Sequence, residues 1–222
     1  MSKSGVRPRR LVVVVGTGTD VGKTWVSARL LNDLRARGLT VAARKPAQSF
    51  DPGDDPATHD ADVLGQASGE SPKVVCPAER WYETAMAPPM AAEVLGRPPF
   101  GITDLVHELR WPTPGVDVGL VETAGGVRSP LASDGDCLAL CTMLRPDLAV
   151  LVADAGLGAI NAVRLTVGTL GALDSRLVVV MNRFNGAVDL HRINVQWLRT
   201  RDGFPVLEVP GRETELAELV SG

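Results

Sequence analysis

Residues 12–31 have the sequence VVVVGTGTDVGKTWVSARLL, which is a run of valines, a turn rich in glycine and threonine, and an amphipathic stretch. The valine run predicts a buried strand, and the stretch after the turn predicts a helix. A strand, a glycine-rich turn and a helix opening on Gly-Lys-Thr are typical of a loop whose backbone N–H groups cradle phosphates. Five residues separate Gly16 from Gly22 instead of the usual four, since Thr17 stands where glycine is expected, so we predict an enlarged phosphate-binding loop.

The residue types at the end of this turn predict how it would bind a nucleotide and a metal ion. Lys23 can reach the terminal phosphate of a nucleoside triphosphate, and the Thr24 hydroxyl can ligate Mg²⁺. We therefore predict nucleotide contacts along the turn and the first helical residues: Gly18, Thr19, Asp20, Val21, Gly22, Lys23, Thr24 and Trp25.

Short apolar runs alternate with longer amphipathic stretches along the rest of the chain. This rhythm predicts an α/β fold, a single doubly wound and mostly parallel sheet with helices on both faces, of the P-loop NTPase type. The predicted strands are 10–15, 40–45, 117–121, 148–153, 177–181 and 205–209. The predicted helices are 23–37, 57–68, 88–96, 102–110, 134–144, 160–173, 188–201 and 212–220.

Composition limits the classes of function. The chain has 222 residues, 45% of them hydrophobic, and a formal net charge of −3, which favours one domain over 1–222 and a small-molecule substrate over nucleic acid. Residues 1–10 are basic, but the apolar run behind them is too short for a signal peptide or a membrane span, so we expect a disordered leader and no membrane partner. Three cysteines without metal-ligand spacing fit a reducing cytoplasm.

Residues just after each strand are the next candidates, because ligands of such sheets bind beyond the carboxyl ends of the strands. Lys45 precedes Pro46 at the end of the second strand, where it is either a cation facing the phosphates or a solvated lysine. Glu122 ends the third strand, where it can hold Mg²⁺ or be an ordinary surface acid. Asp60 and Asp62 open a helix, where a carboxylate serves either a metal or the helix terminus.

Two later turns leave similar alternatives open. The segment 156–161 contains two glycines before a helix, and its N–H groups suit either a carboxylate ligand or ordinary turn chemistry. Asn182 follows the fifth strand and suits either a nucleobase edge or a turn.

In their order along the chain, these motifs resemble the dethiobiotin synthetase family, ATP-dependent ligases that close the ureido ring of biotin. The resemblance runs from about residue 11 to about residue 211. It is carried by the enlarged phosphate loop 16–24, by Lys-Pro-Ala-Gln-Ser at 45–49, by Asp-Ala-Asp at 60–62, by Met-Ala-Pro-Pro-Met-Ala-Ala at 86–92, by Val-Glu-Thr-Ala-Gly-Gly at 121–126, by Gly-Ala-Ile-Asn at 158–161 and by Asn-Arg at 182–183.

The resemblance implies a set of roles. Catalysis would rest on Lys23, Lys45, Thr19 and Ser49. Mg²⁺ would be held by Thr24, Asp60 and Glu122, with Asp60 better spaced than Asp62. Asn182 would lie beside the nucleobase. Substrate would be bound by Ser49, Thr123, Gly158, Ala159 and Asn161, with the turn at 158–161 supplied by the neighbouring subunit of a homodimer.

The implied reaction uses ATP, Mg²⁺, CO₂ and the diamine 7,8-diaminopelargonate. One amine takes up CO₂ as a carbamate, whose oxygen attacks the γ-phosphate. The second amine then closes the ring and expels phosphate. Lys23, Lys45 and Mg²⁺ supply the positive charge that these anions require.

Three departures from the family pattern, Phe50 and Thr123 for glycines and Ala162 for a histidine, touch substrate-side positions and make a different diamine an alternative. The sequence also does not fix the preferred nucleoside triphosphate. Phe50 is expected either to narrow the diamine pocket or to displace the loop that follows it. A partitioning or septum-positioning ATPase is disfavoured because it would need another lysine early in the loop. A glutamine-dependent amidotransferase is disfavoured because it would need a glutaminase domain.

Overall fold

Six parallel strands form the central sheet of the computed structural model, which describes residues 6–222. The strands of this sheet are β1 (Arg10–Gly16), β2 (Val41–Arg44), β5 (Val118–Gly126), β8 (Leu148–Asp154), β9 (Arg176–Asn182) and β10 (Val206–Glu208). Their order across the sheet is β10-β9-β8-β1-β5-β2. Two short pairs lie outside it, parallel β3 (Gln48–Ser49) with β4 (Trp81–Tyr82) and antiparallel β6 (Pro130–Ala132) with β7 (Gly135–Asp136).

Helices cover both faces of the sheet. They are α1 (Lys23–Ala36), α2 (Asp60–Ser68), α3 (Pro72–Val75), α4 (Pro88–Val94), α5 (Ile102–Glu108), α6 (Cys137–Leu144), α7 (Ala159–Leu170), α8 (Asp189–Thr200) and α9 (Glu213–Ser221). The doubly wound α/β fold that the sequence predicts is confirmed.

The valines of β1 explain why this strand lies inside the sheet. Val12 and Val14 pack on the face covered by α1, α2 and α9, whereas Val13 and Val15 pack on the face covered by α4 to α8. All four are fully buried. Each contributes about 1.5–3 kcal/mol to folding through the apolar area that it removes from water.

The predicted helix 57–68 is divided in the structure. A 3₁₀ turn occupies Pro56–Thr58, His59 is extended, and α2 begins at Asp60. The Asp55 carboxylate accepts the N–H of Ala57 and ends the preceding loop, so the chain changes direction just before α2. This break brings Asp60 to the first turn of α2, where the helix dipole favours a carboxylate.

Part of the predicted leader packs against the domain. Residues 1–5 lie outside the described residues. Arg7 donates through Nη1 to the Leu144 carbonyl at 2.9 Å, Pro8 is buried, and Arg10 already pairs with Val118 in the sheet. Among the helices within residues 6–222, none combines the length and the apolar character needed to cross a membrane.

The order of the strands places the candidate site. β1 lies between β5 and β8, so the turn after β1 is next to the ends of both neighbours. In open parallel sheets the crevice at such a switch in strand order is where ligands bind.

Candidate active site

The phosphate loop is shaped by glycine and held by an asparagine from another strand. Gly22 has φ +90°, and a Cβ there would lie 2.0 Å from Nδ2 of Asn182, so both the backbone conformation and the close approach require glycine. Asn182 donates through the same Nδ2 to the Val21 carbonyl at 2.9 Å. The predicted nucleobase residue is thus buried against the loop, which it braces.

Lys23 lies at the start of α1 and folds back over the loop. Its ammonium donates to the Gly18 carbonyl at 3.0 Å, and only 7% of the residue is exposed. The backbone N–H groups at the start of α1 and this ammonium form one positively charged cradle, which suits a triphosphate.

Three oxygen-bearing side chains from different elements converge beside Lys23. The Thr24 hydroxyl lies 2.7 Å from Oδ1 of Asp60 and 2.8 Å from Oε1 of Glu122. Oε2 of Glu122 accepts the hydroxyl of Ser27 at 2.7 Å, and Glu122 is fully buried. The three predicted metal ligands therefore meet at one point, although they lie on α1, α2 and β5.

Lys45 binds this cluster from the end of β2. Its Nζ lies 2.6 Å from Oδ2 of Asp60 and 2.9 Å from Oε1 of Glu122, and it donates to the Thr123 carbonyl at 3.2 Å. Only 2% of Lys45 is exposed, which excludes the solvated lysine that the sequence left open.

The two lysines differ in how their surroundings act on their pKa values. For Lys23, burial lowers the pKa below its ordinary value, and the neighbouring charge of Lys45 lowers it further. For Lys45, burial also acts to lower the pKa, but the carboxylates of Asp60 and Glu122 outweigh it and raise the pKa above its ordinary value. For Asp60, burial acts to raise the pKa, but Lys45 holds it below its ordinary value.

The cluster suits Mg²⁺. This cation prefers hard oxygen ligands and is usually held by one or two carboxylates together with substrate phosphates and water. The Thr24 hydroxyl has a carboxylate oxygen of Asp60 and one of Glu122 within hydrogen-bonding distance. Across residues 6–222 no group of three or more His, Cys, Asp or Glu side chains is arranged to hold a metal.

Asp60 and Asp62 are distinguished by their contacts. Asp60 touches both Thr24 and Lys45 and lines the cleft, whereas Asp62 is absent from the lining. The cluster therefore contains Asp60.

These groups lie on one side of a cleft of about 580 Å³. The predicted residues that line it are Thr19, Asp20, Gly22, Lys23, Thr24, Lys45, Ser49 and Asp60. The Ser49 hydroxyl donates to the Met86 carbonyl at 2.6 Å, and both residues line the cleft. A cleft of this size accommodates a triphosphate tail and a small second substrate.

Several predicted residues lie elsewhere. Thr123 is fully buried and its hydroxyl donates to the Val14 carbonyl, so its side chain belongs to the sheet and does not reach the cleft. Trp25 is exposed on α1 beneath Arg29 and is also absent from the cleft lining. The remaining residues outside the lining are Gly18, Val21, Glu122, Gly158, Ala159, Asn161 and Asn182.

The turn before α7 exposes an apolar side chain and begins the helix without a side-chain cap. Gly158, at φ +87°, begins α7 without a side-chain cap, and Asn161 in the first turn is exposed. Leu157 is 93% exposed. Within a single chain this turn does not contribute to the cleft.

The sequence prediction omitted Arg183. Its guanidinium donates to the Asp20 carbonyl at 2.6 Å and to Oδ2 of Asp154 at 2.9 Å, which ties the phosphate loop to the end of β8. Arg183 also lines the cleft. Its place directly after Asn182 at a strand end was the available signal.

Phe50, one of the three departures from the resembled pattern, is not part of the cleft lining. Its ring stacks on His59 with centroids 3.9 Å apart. Phe50 therefore does not narrow the cleft.

Comparisons with known proteins agree with this geometry. Residues 10–214 match the family model described as an AAA domain. The chain is 34% identical over 198 residues to the ATP-dependent dethiobiotin synthetase of Haloferax mediterranei, covering 89% of this chain and 82% of the relative. It is 35% identical over 205 residues to that of Caulobacter sp. strain K31, covering 90% of this chain and 88% of the relative.

A solved structure of a plasmid partition protein from Borrelia burgdorferi has a TM-score of 0.56 to this chain, with 97% of each chain covered and 12% sequence identity. That likeness shows a shared fold and nothing about function. The sequence identity to the dethiobiotin synthetases is much higher and extends over most of both chains. This chain therefore belongs to the ATP-dependent dethiobiotin synthetase family and is an ATP-dependent ligase.

Proposed function

We propose that the cleft joins CO₂ to 7,8-diaminopelargonate and closes the ureido ring of dethiobiotin, with conversion of ATP to ADP and phosphate. The observation that carries the proposal is the convergence of Lys23, Lys45 and the Thr24–Asp60–Glu122 cluster in one cleft. Carbamate, triphosphate and the transferred phosphoryl group are all anionic, and this arrangement concentrates cationic groups where they meet.

In the first step, different residues bind the phosphates, hold the metal and offset the developing charge. Lys23 and the N–H groups at the start of α1 bind the β- and γ-phosphates, while Thr24, Asp60 and Glu122 hold Mg²⁺. When bound, Mg²⁺ neutralises charge on the phosphate oxygens. The carbamate oxygen attacks the γ-phosphorus as the bond to ADP breaks, and Lys45 offsets the charge that develops on the transferred group.

Ring closure needs orientation more than acid–base chemistry. The second amine attacks the carbamoyl carbon, the bond to phosphate breaks, and the amine proton is released. Ser49 and Thr19 both line the cleft, and we propose that their hydroxyls orient the amines and the carbamate.

Mass spectrometry tests the reaction directly. Protein incubated with ATP, Mg²⁺, bicarbonate and 7,8-diaminopelargonate should yield the cyclic urea, with one ADP formed per ring. The matched control is Lys23→Met protein under the same conditions. Triphosphate hydrolysis without a cyclic urea would reject this diamine, and the same assay with other diamines and other nucleoside triphosphates would then identify the substrates.

We also propose a homodimer in which the turn before α7 completes the cleft of the other subunit. Two features support the proposal: the exposed Asn161 and uncapped helix start suit the carboxylate tail of the substrate, and the exposed Leu157 is an apolar contact for a partner. The absence of Gly158, Ala159 and Asn161 from the cleft lining of their own chain is consistent with action in trans.

Subunit mixing tests the shared site. Asn161→Ala should weaken diamine binding without weakening ATP binding. Mixed with Lys23→Ala protein, it should regain activity, because a heterodimer contains one site with both residues intact. A monomer in analytical ultracentrifugation, or no rescue after proven subunit exchange, would contradict the model.

A cytoplasmic location is part of the same proposal. All three cysteines, Cys76, Cys137 and Cys141, are free and buried, which agrees with a reducing compartment.

A further inference from the structure

The loop 51–58 connects two residues of the cleft. Ser49 precedes it in β3, and Asp60 follows it in α2; both line the cleft. All eight residues of the loop are exposed. Among the described residues, its backbone N–H groups bond within the loop, as in the bonds from Asp54 to Asp51 and from Thr58 to Asp55. The exposed loop therefore does not fix Ser49 relative to Asp60. The contacts at its base do so, together with the bonds of Ser49 to Met86 and of Asp60 to Thr24 and Lys45.

Two contacts cross that base. The rings of Phe50 and His59 stack with centroids 3.9 Å apart and planes inclined by 24°. On the other side, Oε1 of Gln48 accepts the N–H of Ala61 at 2.8 Å in a buried bond. We call these two contacts the clasp.

The two contacts of the clasp flank Ser49 and Asp60 symmetrically along the chain. Phe50 and His59 lie one residue inside Ser49 and Asp60, toward the loop, while Gln48 and Ala61 lie one residue outside them. Ser49 and Asp60 are therefore held opposite each other from both sides.

The rest of the domain supports one half of the clasp. Phe50 donates its N–H to the Tyr82 carbonyl at 3.0 Å, which continues the pairing of β3 with β4. Trp81 of β4 lies edge-on to both stacked rings, at 6.4 Å from Phe50 and 6.3 Å from His59. The three rings form a single packed unit behind the cleft.

His59 contributes its ring face and not its nitrogens. Only 8% of the residue is exposed, and neither Nδ1 nor Nε2 has a hydrogen-bond partner among residues 6–222. Burying such groups without partners is unfavourable, so the stacking must outweigh that cost for the ring to stay in place. A phenyl ring would supply the same face without the polar atoms.

We propose that Phe50 and His59 are positioning residues that fix the amine-orienting Ser49 against the metal-binding Asp60. This proposal rests on the roles given to Ser49 and Asp60 in the proposed function. It also gives Phe50 a role outside the cleft lining: its ring closes the base of the loop by stacking on His59.

The test compares His59→Ala with His59→Phe, which removes the nitrogens but keeps a stacking ring. His107→Ala is the matched control, because His107 is exposed on α5 and has no part in the clasp. Hydrogen–deuterium exchange reports on amides 51–61, calorimetry reports on Mg·ADP affinity, and steady-state kinetics separate KM for the diamine from kcat.

We expect His59→Ala to accelerate exchange in 51–61 and to weaken Mg·ADP binding by roughly 3- to 10-fold, the scale of one lost aromatic pair. KM for the diamine should rise by a similar factor and kcat should change less. His59→Phe should restore all three quantities, and His107→Ala should alter none.

Three results would overturn the clasp: unchanged exchange in His59→Ala, unchanged Mg·ADP affinity in His59→Ala, or His59→Phe as impaired as His59→Ala. If His59→Ala does not fold, Phe50→Leu, which keeps apolar volume but loses the stack, takes its place in the same comparison. The exchange and calorimetry experiments do not involve the diamine. Failure of the ring-closing assay would therefore reject the proposed substrate, whereas the clasp would still be tested by exchange and by Mg·ADP affinity.

Discussion

Lys23 and Lys45 line the same cleft, yet they have different partners. Nζ of Lys23 donates to a backbone carbonyl in the phosphate loop, and within residues 6–222 no carboxylate lies within ion-pair distance of it. Nζ of Lys45 lies between the carboxylates of Asp60 and Glu122. The pKa of Lys23 is lowered, first by burial, whereas that of Lys45 is raised because the two carboxylates outweigh burial.

The charge of Lys23 is therefore available to a bound ligand, whereas the charge of Lys45 is already paired with carboxylates in the folded protein. A buried cation without a counter-ion costs free energy until an anion binds beside it, so Lys23 gains most from a bound triphosphate. A buried cation between two carboxylates is compensated in the free protein. We therefore expect loss of Lys23 to impair turnover without destabilising the free protein, whose stability should instead rise, and loss of Lys45 to impair both.

The largest expected effect is on turnover in Lys23→Met. Loss of the ammonium that binds the β- and γ-phosphates should lower kcat/KM by roughly 10³ or more. The melting temperature of the free protein should stay the same or rise, because a buried charge with a lowered pKa is replaced by an apolar chain of similar length. Turnover within about tenfold of the parent, on the scale of a single modest interaction, would contradict the assignment of the loop.

Lys45→Met should lower kcat by roughly 10² while leaving ATP affinity nearly intact, because its charge acts mainly in the transition state. It should also destabilise the protein by about 3–5 kcal/mol, since Glu122 would keep a buried charge without its cation. Chemical denaturation measures this loss.

The double variant Lys45→Met/Glu122→Gln is the control for that loss, and it should recover part of the stability but none of the activity. An unchanged melting temperature in Lys45→Met would show that Lys45 and Lys23 do not differ in the way described.

The pH dependence of stability should separate the two lysines more finely. In the folded protein the pKa of Lys23 lies below 10.5, so the unfolded chain binds the proton more tightly and the cost of Lys23 shrinks as pH rises toward 10.5. The pKa of Lys45 lies above 10.5 in the folded protein, so its stabilising effect is complete below 10.5 and is lost only at higher pH.

Melting curves from neutral pH to 10.5 measure both behaviours. The difference in melting temperature between the parent and Lys23→Met should narrow across this range, and that between the parent and Lys45→Met should stay constant. The reverse pattern would show that the pKa directions have been assigned to the wrong lysines.

Ser27→Ala should have the smallest effect. It removes the hydrogen bond from the Ser27 hydroxyl to Oε2 of Glu122, and a bond to a buried carboxylate contributes about 1.5–3 kcal/mol. Turnover should fall only several-fold, because Thr24 and Lys45 still hold Oε1 of the same carboxylate. Ser68→Ala is the matched control, since Ser68 is also buried on a helix but makes only a 3.4 Å contact with a backbone carbonyl.

Most of the fold followed from local pattern. The six predicted strands correspond to the six strands of the sheet, because each is a short apolar run bounded by polar residues or turns. The pattern missed β3, β4, β6 and β7, which contain two or three residues each and are too short for any periodicity. It also joined the 3₁₀ turn at 56–58 to α2, because an extended residue such as His59 leaves no local signal.

The candidate site was predictable where a motif fixes the chemistry. Lys23, Thr24 and the enlarged loop follow from residue type and spacing, since a backbone cradle for phosphate requires glycines before a helix start. The motif order also identified Lys45, Asp60 and Glu122 as candidates at the sheet edge. In contrast, Arg183 and the Phe50–His59 stack depend on residues that are distant in sequence or separated by a loop.

The sequence by itself determined the parallel α/β fold and the phosphate loop, because hydrophobic periodicity and glycine spacing act over a few residues. Only the tertiary structure decided which side chains meet. It separated Asp60 from Asp62, buried Thr123 within the sheet, placed Phe50 outside the cleft lining and gave two neighbouring lysines opposite pKa shifts. These outcomes depend on distances between strands and helices, and therefore on burial and charge contacts that no local pattern records.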